Sequence, residues 1–311
     1  MKVVVTGGAG FIGANLCRAL RSDPDIGRVV ALDDLSTGHR ANLAMLDDVE
    51  LVEGSILDAG LLDRVFEGAD AVVHLAARPS VPRSLADPMA SHLTNATGTM
   101  EVLEAARRGG RPQVVMASSS SVYGANPALP KDEDMATMPV SPYAASKLAA
   151  ESATLAYGHS FDLPVLAFRF FNVFGPLQSP GHAYAAVVPT FVDCALRGDP
   201  LPVHGDGRQT RDFTYVGSVA SVLAAAVAGK VTAPGPVNLA FGTRVSLLEL
   251  IGVLGTVLGR ELECDHTEPR SGDVRDSQAD QTRVRAMFPD IEPVSLETGL
   301  RATVEWFRAV R

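Results

Sequence analysis

Cysteine is scarce in this 311-residue chain: Cys17, Cys194 and Cys264 are the whole complement, far apart and with no Cys-x-x-Cys pair. An odd count at such spacing argues against a disulfide scaffold or a cysteine zinc site, and it suits a reducing compartment. No apolar run approaches the ~18 residues that a membrane span needs. The start, MKVVVTGG, lacks the apolar core and cleavage site of a signal peptide, so a cytoplasmic location is expected. Basic charge is short as well: 27 Lys and Arg against 36 Asp and Glu leave a net charge of −9, which argues against a basic nucleic-acid-binding surface. Anionic ligands stay open, because local groups bind them and net charge does not. His92, His159, His182, His204 and His266 have no metal-like spacing, and no metal role is expected for any.

Short Val-rich apolar runs occur at Lys2–Thr6, Arg28–Leu32, Ala71–Leu75, Gln113–Ala117 and Pro164–Phe170. They are nearly continuous and do not alternate, as suits parallel strands covered on both faces. Between them, Asn15–Arg21, Leu61–Phe66 and Thr94–Arg108 carry apolar residues at helical spacing. Strands alternating with helices predict an α/β fold, a doubly wound parallel sheet. After about residue 172 the pattern changes, with Pro and Gly dense in Gly175–Gly181 and Arg197–Gly207. Residues 1–172 therefore read as a Rossmann-type domain and 173–311 as a smaller mixed α/β domain. Return strands are allowed near 210–240, Val237–Leu239 among them.

The first strand runs directly into Thr6-Gly7-Gly8-Ala9-Gly10-Phe11-Ile12-Gly13, and a helix suits the residues that follow. Glycines at 7, 10 and 13 let backbone N–H groups approach a pyrophosphate at a helix N-terminus. No Gly-Lys-Ser/Thr follows, which excludes a Walker loop. Asp33 ends the second strand, twenty residues past Gly13. A carboxylate there accepts from a ribose hydroxyl and disfavours a 2′-phosphate, so NAD is the expected cofactor. Ser36, Thr37 and Gly38 either extend the ribose contacts or form a plain turn.

Ser141-Pro142 signals a helix start, which places Tyr143 and Lys147 one turn apart on one face. A lysine cation so placed is expected to lower the phenol below its ordinary value near ~10, towards use as a general base. Upstream, a strand ends in Ser118-Ser119-Ser120-Ser121-Val122-Tyr123-Gly124. Hydroxyls at the carboxyl end of such a strand can hydrogen-bond a sugar oxygen or the Tyr143 phenol. They can equally form a polar turn.

Taken together these segments resemble the extended short-chain dehydrogenase/reductases, in their nucleotide-sugar epimerase/dehydratase branch. The likeness also runs through His74-Leu75-Ala76-Ala77, Asn95-Ala96-Thr97-Gly98-Thr99, Arg169-Phe170-Phe171-Asn172, Gly205-Asp206-Gly207 and Arg211-Asp212-Phe213. It implies Tyr143 as catalytic base, Lys147 on the nicotinamide ribose and Ser119 as the catalytic hydroxyl. It implies cofactor contacts from Ser55, Ile56, Leu75, Ala76 and Ala77, although many members have Asp where Ser55 stands. Arg211 and Arg270 match positions that clamp the diphosphate, Asp273 a ribose-contacting carboxylate, and Asn172 a contact near the substrate phosphate. A homodimer through the helices around Thr94–Arg108 and Tyr143–Tyr157 is also implied.

The dehydratases and decarboxylases of this branch carry a Glu just before Val-Tyr-Gly; here Ser120 and Ser121 stand there. A hydroxyl cannot serve as the acid that an elimination needs near neutrality. What remains is inversion at C4 of a UDP-sugar, with dehydration or a silent NAD-binding role as rivals. Small Ala186, beside Val187, and small Ser277, where glucose-restricted relatives have Tyr, leave room for a 2-acetamido group. UDP-GlcNAc/UDP-GalNAc and UDP-Glc/UDP-Gal are the expected substrates. Arg78 and Arg83 keep UDP-glucuronate open, while Pro79 departs from a glycine common in N-acetyl-accepting relatives.

Overall fold

The computed structural model describes residues 1–180, 186–268 and 275–311. One parallel sheet of seven strands organises it: β1 (Lys2–Thr6), β2 (Arg28–Asp33), β3 (Val49–Glu53), β4 (Ala71–His74), β5 (Gln113–Ser119), β6 (Val165–Phe170) and β7 (Val237–Leu239), ordered β7-β6-β5-β4-β1-β2-β3. The order reverses between β1 and β4, and a crevice opens above the carboxyl ends of strands at such a point. The longer helices are α1 (Phe11–Arg21), α2 (Ala59–Phe66), α3 (Gly98–Arg108), α4 (Pro142–Phe161), α5 (Val187–Arg197), α6 (Val216–Ala228), α7 (Leu247–Leu258) and α8 (Leu296–Ala309).

Successive strand side chains point to opposite faces, and here both faces are covered. Val3 and Val5 enter a cluster with Leu16 and Leu20 of α1 and Val219 and Leu223 of α6. Val4 enters the other layer, with Leu62 and Phe66 of α2, Val102 and Leu103 of α3 and Tyr157 of α4. This is why β1 has no polar position between Val3 and Val5. A third cluster, with Phe174, Phe191, Leu250, Leu254, Val304 and Phe307, forms the C-terminal body between α5, α7 and α8. Two-stranded ladders edge it: Leu201–His204 with Cys264–Thr267, and Thr210–Arg211 with Val245–Ser246. A third ladder joins Val173–Phe174 to Thr214–Tyr215.

Several later segments return to the sheet. Helix α6 packs on α1, β7 pairs with β6, and Val284 and Phe288 pack into the first layer. The strand at Val49–Glu53 was not anticipated from its sequence. It lies at the sheet edge with Glu50 and Glu53 exposed, so it lacks the continuous apolar run of the buried strands. The helix foreseen from Thr94 begins instead as a wider π turn at Leu93–Thr97 before α3 starts. Ser141 caps α4 as its sequence predicts, its Oγ accepting from Ala144 N at 3.1 Å.

Candidate active site

A cavity of about 800 Å³ opens at the carboxyl ends of the strands and runs on into the C-terminal body. Its wall contains Gly7, Gly10, Phe11, Ile12 and Gly13 of the loop, with Asp33, Ser36 and Thr37 beyond β2. Ser55, Ile56, Leu75, Ala76, Ala77, Arg83, Ser119, Tyr143 and Lys147 line it too, and Asn172, Ala186, Val187 and Arg211 face it from the later chain. Gly38, Ser120 and Ser277 are not in this wall. Arg270 and Asp273 lie outside the described residues.

The loop has the shape of a dinucleotide cradle. Gly7 has φ +70°, and a Cβ there would come within 2.8 Å of Ala76 N. A Cβ on Gly13 would stand 2.1 Å from Gly7 O. Backbone is thus laid directly on backbone, and the first turn of α1 faces the cavity. Asp33 is buried and accepts from Ala9 N at 2.9 Å and Leu35 N at 2.8 Å. Burial pushes its carboxyl above the usual range, and those amides draw it partly back. Each carboxylate oxygen keeps a lone pair for a ribose hydroxyl. Gly38 stands behind this group, where a Cβ would be 2.8 Å from both oxygens. The cradle and the carboxylate fit the adenosine diphosphate half of NAD.

His74 explains two of the sequence motifs. Thr99 Oγ1 donates to Asn95 O at 2.6 Å, so it accepts from His74 Nε2 at 2.9 Å. Nδ1 is then the acceptor for Thr6 Oγ1 at 2.7 Å. Burial, helped by Lys147, holds this imidazole neutral, its pKa lowered to about 3. Asn95 ties the loop after β4 to α4, bonding Arg78 N at 2.7 Å and Ser146 Oγ at 3.0 Å.

Tyr143 is partly buried and Lys147 almost wholly buried, both on the cavity side of α4. The expected lowering of the phenol by Lys147 is not what the structure holds. Burial pushes Tyr143 up, and a hydrogen bond with Ser119 opposes that rise. Burial also draws Lys147 down, to about 8, against the pull of Glu151. Desolvation disfavours the charged form of both groups. The serine run divides as well. Ser118 turns inward to Glu151, at 2.6 Å, and Ser119 Oγ accepts from Ser121 Oγ at 2.9 Å. Ser120 begins the tight turn Ser120–Tyr123, which buries Val122 and Tyr123.

On the far wall, Asn172 has φ +24°, and its Nδ2 donates to Asp212 O at 3.2 Å. Asp212, inside the Arg211-Asp212-Phe213 motif, is fully buried and pins two segments, accepting from Ala279 N at 3.0 Å and Thr243 Oγ1 at 2.8 Å. Ser277 lies on the same strap, its N–H bonded to Thr210 O at 3.1 Å. Arg78 is outside the wall and pairs with Asp87 at 3.7 Å, whereas Arg83 lines it. Asn42, His204 and Gln209 line the cavity without any signal in the sequence. They are brought there by distant loops, and no local spacing marks them.

Gly13→Ala is expected to abolish retention of the dinucleotide, because neither Gly7 O nor the start of α1 can yield the missing space. Absorbance of the purified variant at the adenine band checks this; a cofactor content equal to wild type would refute the cradle. A second expectation follows from His74. Between about pH 6.5 and pH 3 the unfolded chain takes up a proton that the folded imidazole refuses, so stability falls as pH falls through that window. His74→Gln is expected to flatten this part of the curve, read by urea unfolding at about pH 7 and about pH 5.

Comparison with known proteins adds lineage to this geometry. Residues 3–240 match the NAD dependent epimerase/dehydratase family. A UDP-glucose 4-epimerase of Mycolicibacterium smegmatis is 39% identical over 319 aligned residues, covering 99% of each chain. The structure of a UDP-N-acetylglucosamine 4-epimerase from Methanobrevibacter ruminantium M1, in complex with UDP-N-acetylmuramic acid, superimposes with a TM-score of 0.93 at 34% identity, over 100% of this chain and 99% of that one. A UDP-glucuronic acid 4-epimerase from Bacillus cereus, solved with UDP-glucuronic acid and NAD, gives a TM-score of 0.91 at 30% identity over the full length of both. The cradle, the Tyr143/Lys147 face and these full-length likenesses together make the chain a member of the NAD-dependent epimerase/dehydratase family, within the extended short-chain dehydrogenase/reductases.

Proposed function

We propose that this enzyme inverts C4 of a UDP-sugar through a transient 4-keto sugar. One observation carries the choice of epimerisation. Among the described cavity-lining residues the carboxylates are Asp33 and Asp34, and both belong to the segment just after β2. Around Ser119 and Tyr143 the described residues of the wall offer hydroxyls and no acid. Loss of water or of carbon dioxide from the sugar needs a tuned acid or base in addition to the tyrosine. Moving a hydride out and back at one carbon does not.

NAD, held by the Gly7–Gly13 loop, Asp33 and Lys147, would supply the hydride chemistry that C4 inversion needs. Tyr143 Oη takes the proton of the sugar 4-hydroxyl and later returns it to the same oxygen. Ser119 shares a hydrogen bond with that phenol and holds it on the substrate side. Lys147, as an ammonium, favours the phenolate and holds the nicotinamide ribose. Arg211 and Asn172 keep the diphosphate in place while the sugar presents its other face. Gly7, Gly10 and Gly13 carry the cofactor pyrophosphate, and Asp33 the adenosine ribose. A cofactor restored in every cycle has no need to leave, which fits the depth of the cradle.

UDP-GlcNAc/UDP-GalNAc and UDP-Glc/UDP-Gal are the favoured substrates. Small Ala186 in the wall supports the N-acetyl series; Ser277, away from the wall, lends it no direct support. UDP-glucuronate is the second choice, favoured by Arg83 as a wall cation. A cytoplasmic setting suits the three free cysteines. A homodimer is supported by exposed Leu85, Met89 and Leu93 along the helical stretch that leads into α3, with exposed Met100 in the first turn of α3.

Proton NMR of the purified enzyme with each UDP-sugar, with no NAD added, is expected to show a new anomeric signal for the C4 epimer. Tyr143→Phe should lower turnover by roughly 10²–10⁴-fold while retaining bound NAD. No epimer from any of the three series, even after NAD is supplied, would overturn the assignment. Sedimentation equilibrium is expected to give twice the chain mass, and Met89→Lys with Met100→Lys should reduce it; a wild-type monomer at micromolar concentration would contradict the dimer.

A further inference from the structure

Behind the cavity wall lies a buried ionic group that the cycle above leaves without a task. Glu151 is on α4, one turn past Lys147 and two past Tyr143. Its carboxylate accepts from Ser118 Oγ at 2.6 Å, from Arg169 Nη2 at 2.7 Å and from Arg169 Nε at 3.0 Å. The side chains of Arg169 and Glu151 are only 4% and 3% exposed. Arg169 also donates to Glu133 O at 3.1 Å and stacks over the Tyr123 ring at 4.7 Å.

Stability alone is a poor account of this pair. Well-packed apolar residues usually replace a buried ion pair at no cost, and often with a gain. Position is a better account. Ser118 is on β5 next to Ser119, Arg169 is on β6 just before Asn172, and Glu151 shares a helix face with Tyr143 and Lys147. The group therefore joins the three elements that carry the reacting side chains. We propose that Glu151 is a positioning residue for Lys147: its carboxylate, locked by Arg169 and Ser118, stands one helical turn from the ammonium as a fixed, buried counter-charge.

The short helix Val81–Ala86, packed on α4, brings Arg83, which lines the same cavity as Lys147. Strand β4 brings His74, which is buried and neutral, and β5 brings the hydroxyls Ser118 and Ser119. On α4 itself the titratable neighbours are Tyr143 and Glu151. Strand β6 brings Arg169, already paired, with Glu133 and the Tyr123 phenol beyond it. The charge that acts on Lys147 to raise its pKa is Glu151, against a burial effect that leaves it at about 8. Removal of that carboxylate lets burial act unopposed, so the ammonium deprotonates at lower pH.

This inference rests on Lys147 acting in turnover, so two readouts are needed. The first is the pH profile of kcat between about pH 6 and pH 10. Glu151→Gln, of nearly equal size but uncharged, is expected to move the alkaline limb down by roughly one pH unit, lowering kcat at high pH with little change in KM. Glu151→Asp keeps the charge and should leave the limb near its wild-type position, even if the fold is weakened. Glu151→Gln with Arg169→Met removes both charges; it should fold and shift the limb in the same direction but by less, because the opposing cation is gone too, and it covers the case in which the single variant does not fold. The second readout is competitive acylation of Lys147 followed by mass spectrometry, which gives the lysine titration without any turnover. An unmoved Lys147 midpoint in folded Glu151→Gln or in the double variant overturns the proposal. A wild-type enzyme inert towards every UDP-sugar, with the midpoint still shifted in the variants, would overturn the epimerase assignment and leave this one standing.

Discussion

Everything at the site depends on how closely backbone approaches backbone at the centre of the sheet. Strand β1 bonds to β2 on one side and β4 on the other, and the chain leaves both β1 and β4 towards the same crevice. Gly7, emerging from β1, lies against the backbone of Ala76, just past β4, and Gly13 closes over Gly7 O. Side chains at those points would push the two loops apart and lift α1 from the strand ends. The cofactor cradle is therefore the packing centre of the first domain as much as a binding surface. The Val-rich strands beneath it, covered by helices on both faces, hold that centre rigid.

The electrostatics of the site follow from the same burial. Desolvation holds His74 neutral, draws Lys147 down and pushes the Tyr143 phenol up. The buried polar groups behind the site are satisfied mainly by one another. Thr6, His74, Thr99 and Asn95 form one chain of hydrogen bonds; Ser118, Glu151 and Arg169 form another. Both begin at the carboxyl end of a sheet strand and reach a helix that carries or braces the reacting groups. Fully bonded buried networks of this kind rigidify what they connect.

The N-terminal half was readable because its signals are local. Near-continuous Val runs mark strands buried on both faces, glycines at fixed spacing mark the cradle, and Ser141-Pro142 marks the start of α4. The misreadings have the converse cause. The strand Val49–Glu53 sits at an edge, where two of its five side chains, Glu50 and Glu53, face water and the apolar run is broken. Ser120 and Ser118 look equivalent to Ser119 in the sequence, yet one opens a tight turn and the other faces Glu151. The direction of the Tyr143 shift was missed because spacing reports a neighbour's charge and says nothing of the water removed from both.

The sequence by itself determined the fold class, the cofactor type and the pairing of Tyr143 with Lys147, since each is written in residues close together along the chain. Tertiary structure alone decided which hydroxyl meets the phenol, that the carboxylates of the described wall stop at Asp33 and Asp34, and that Ser277 stands away from it. It also decided the meeting of Ser118, Glu151 and Arg169, which come from three elements and share no motif. Such contacts are set by strand order and by the depth at which a helix docks. Neither quantity can be read from the spacing of residues in one segment.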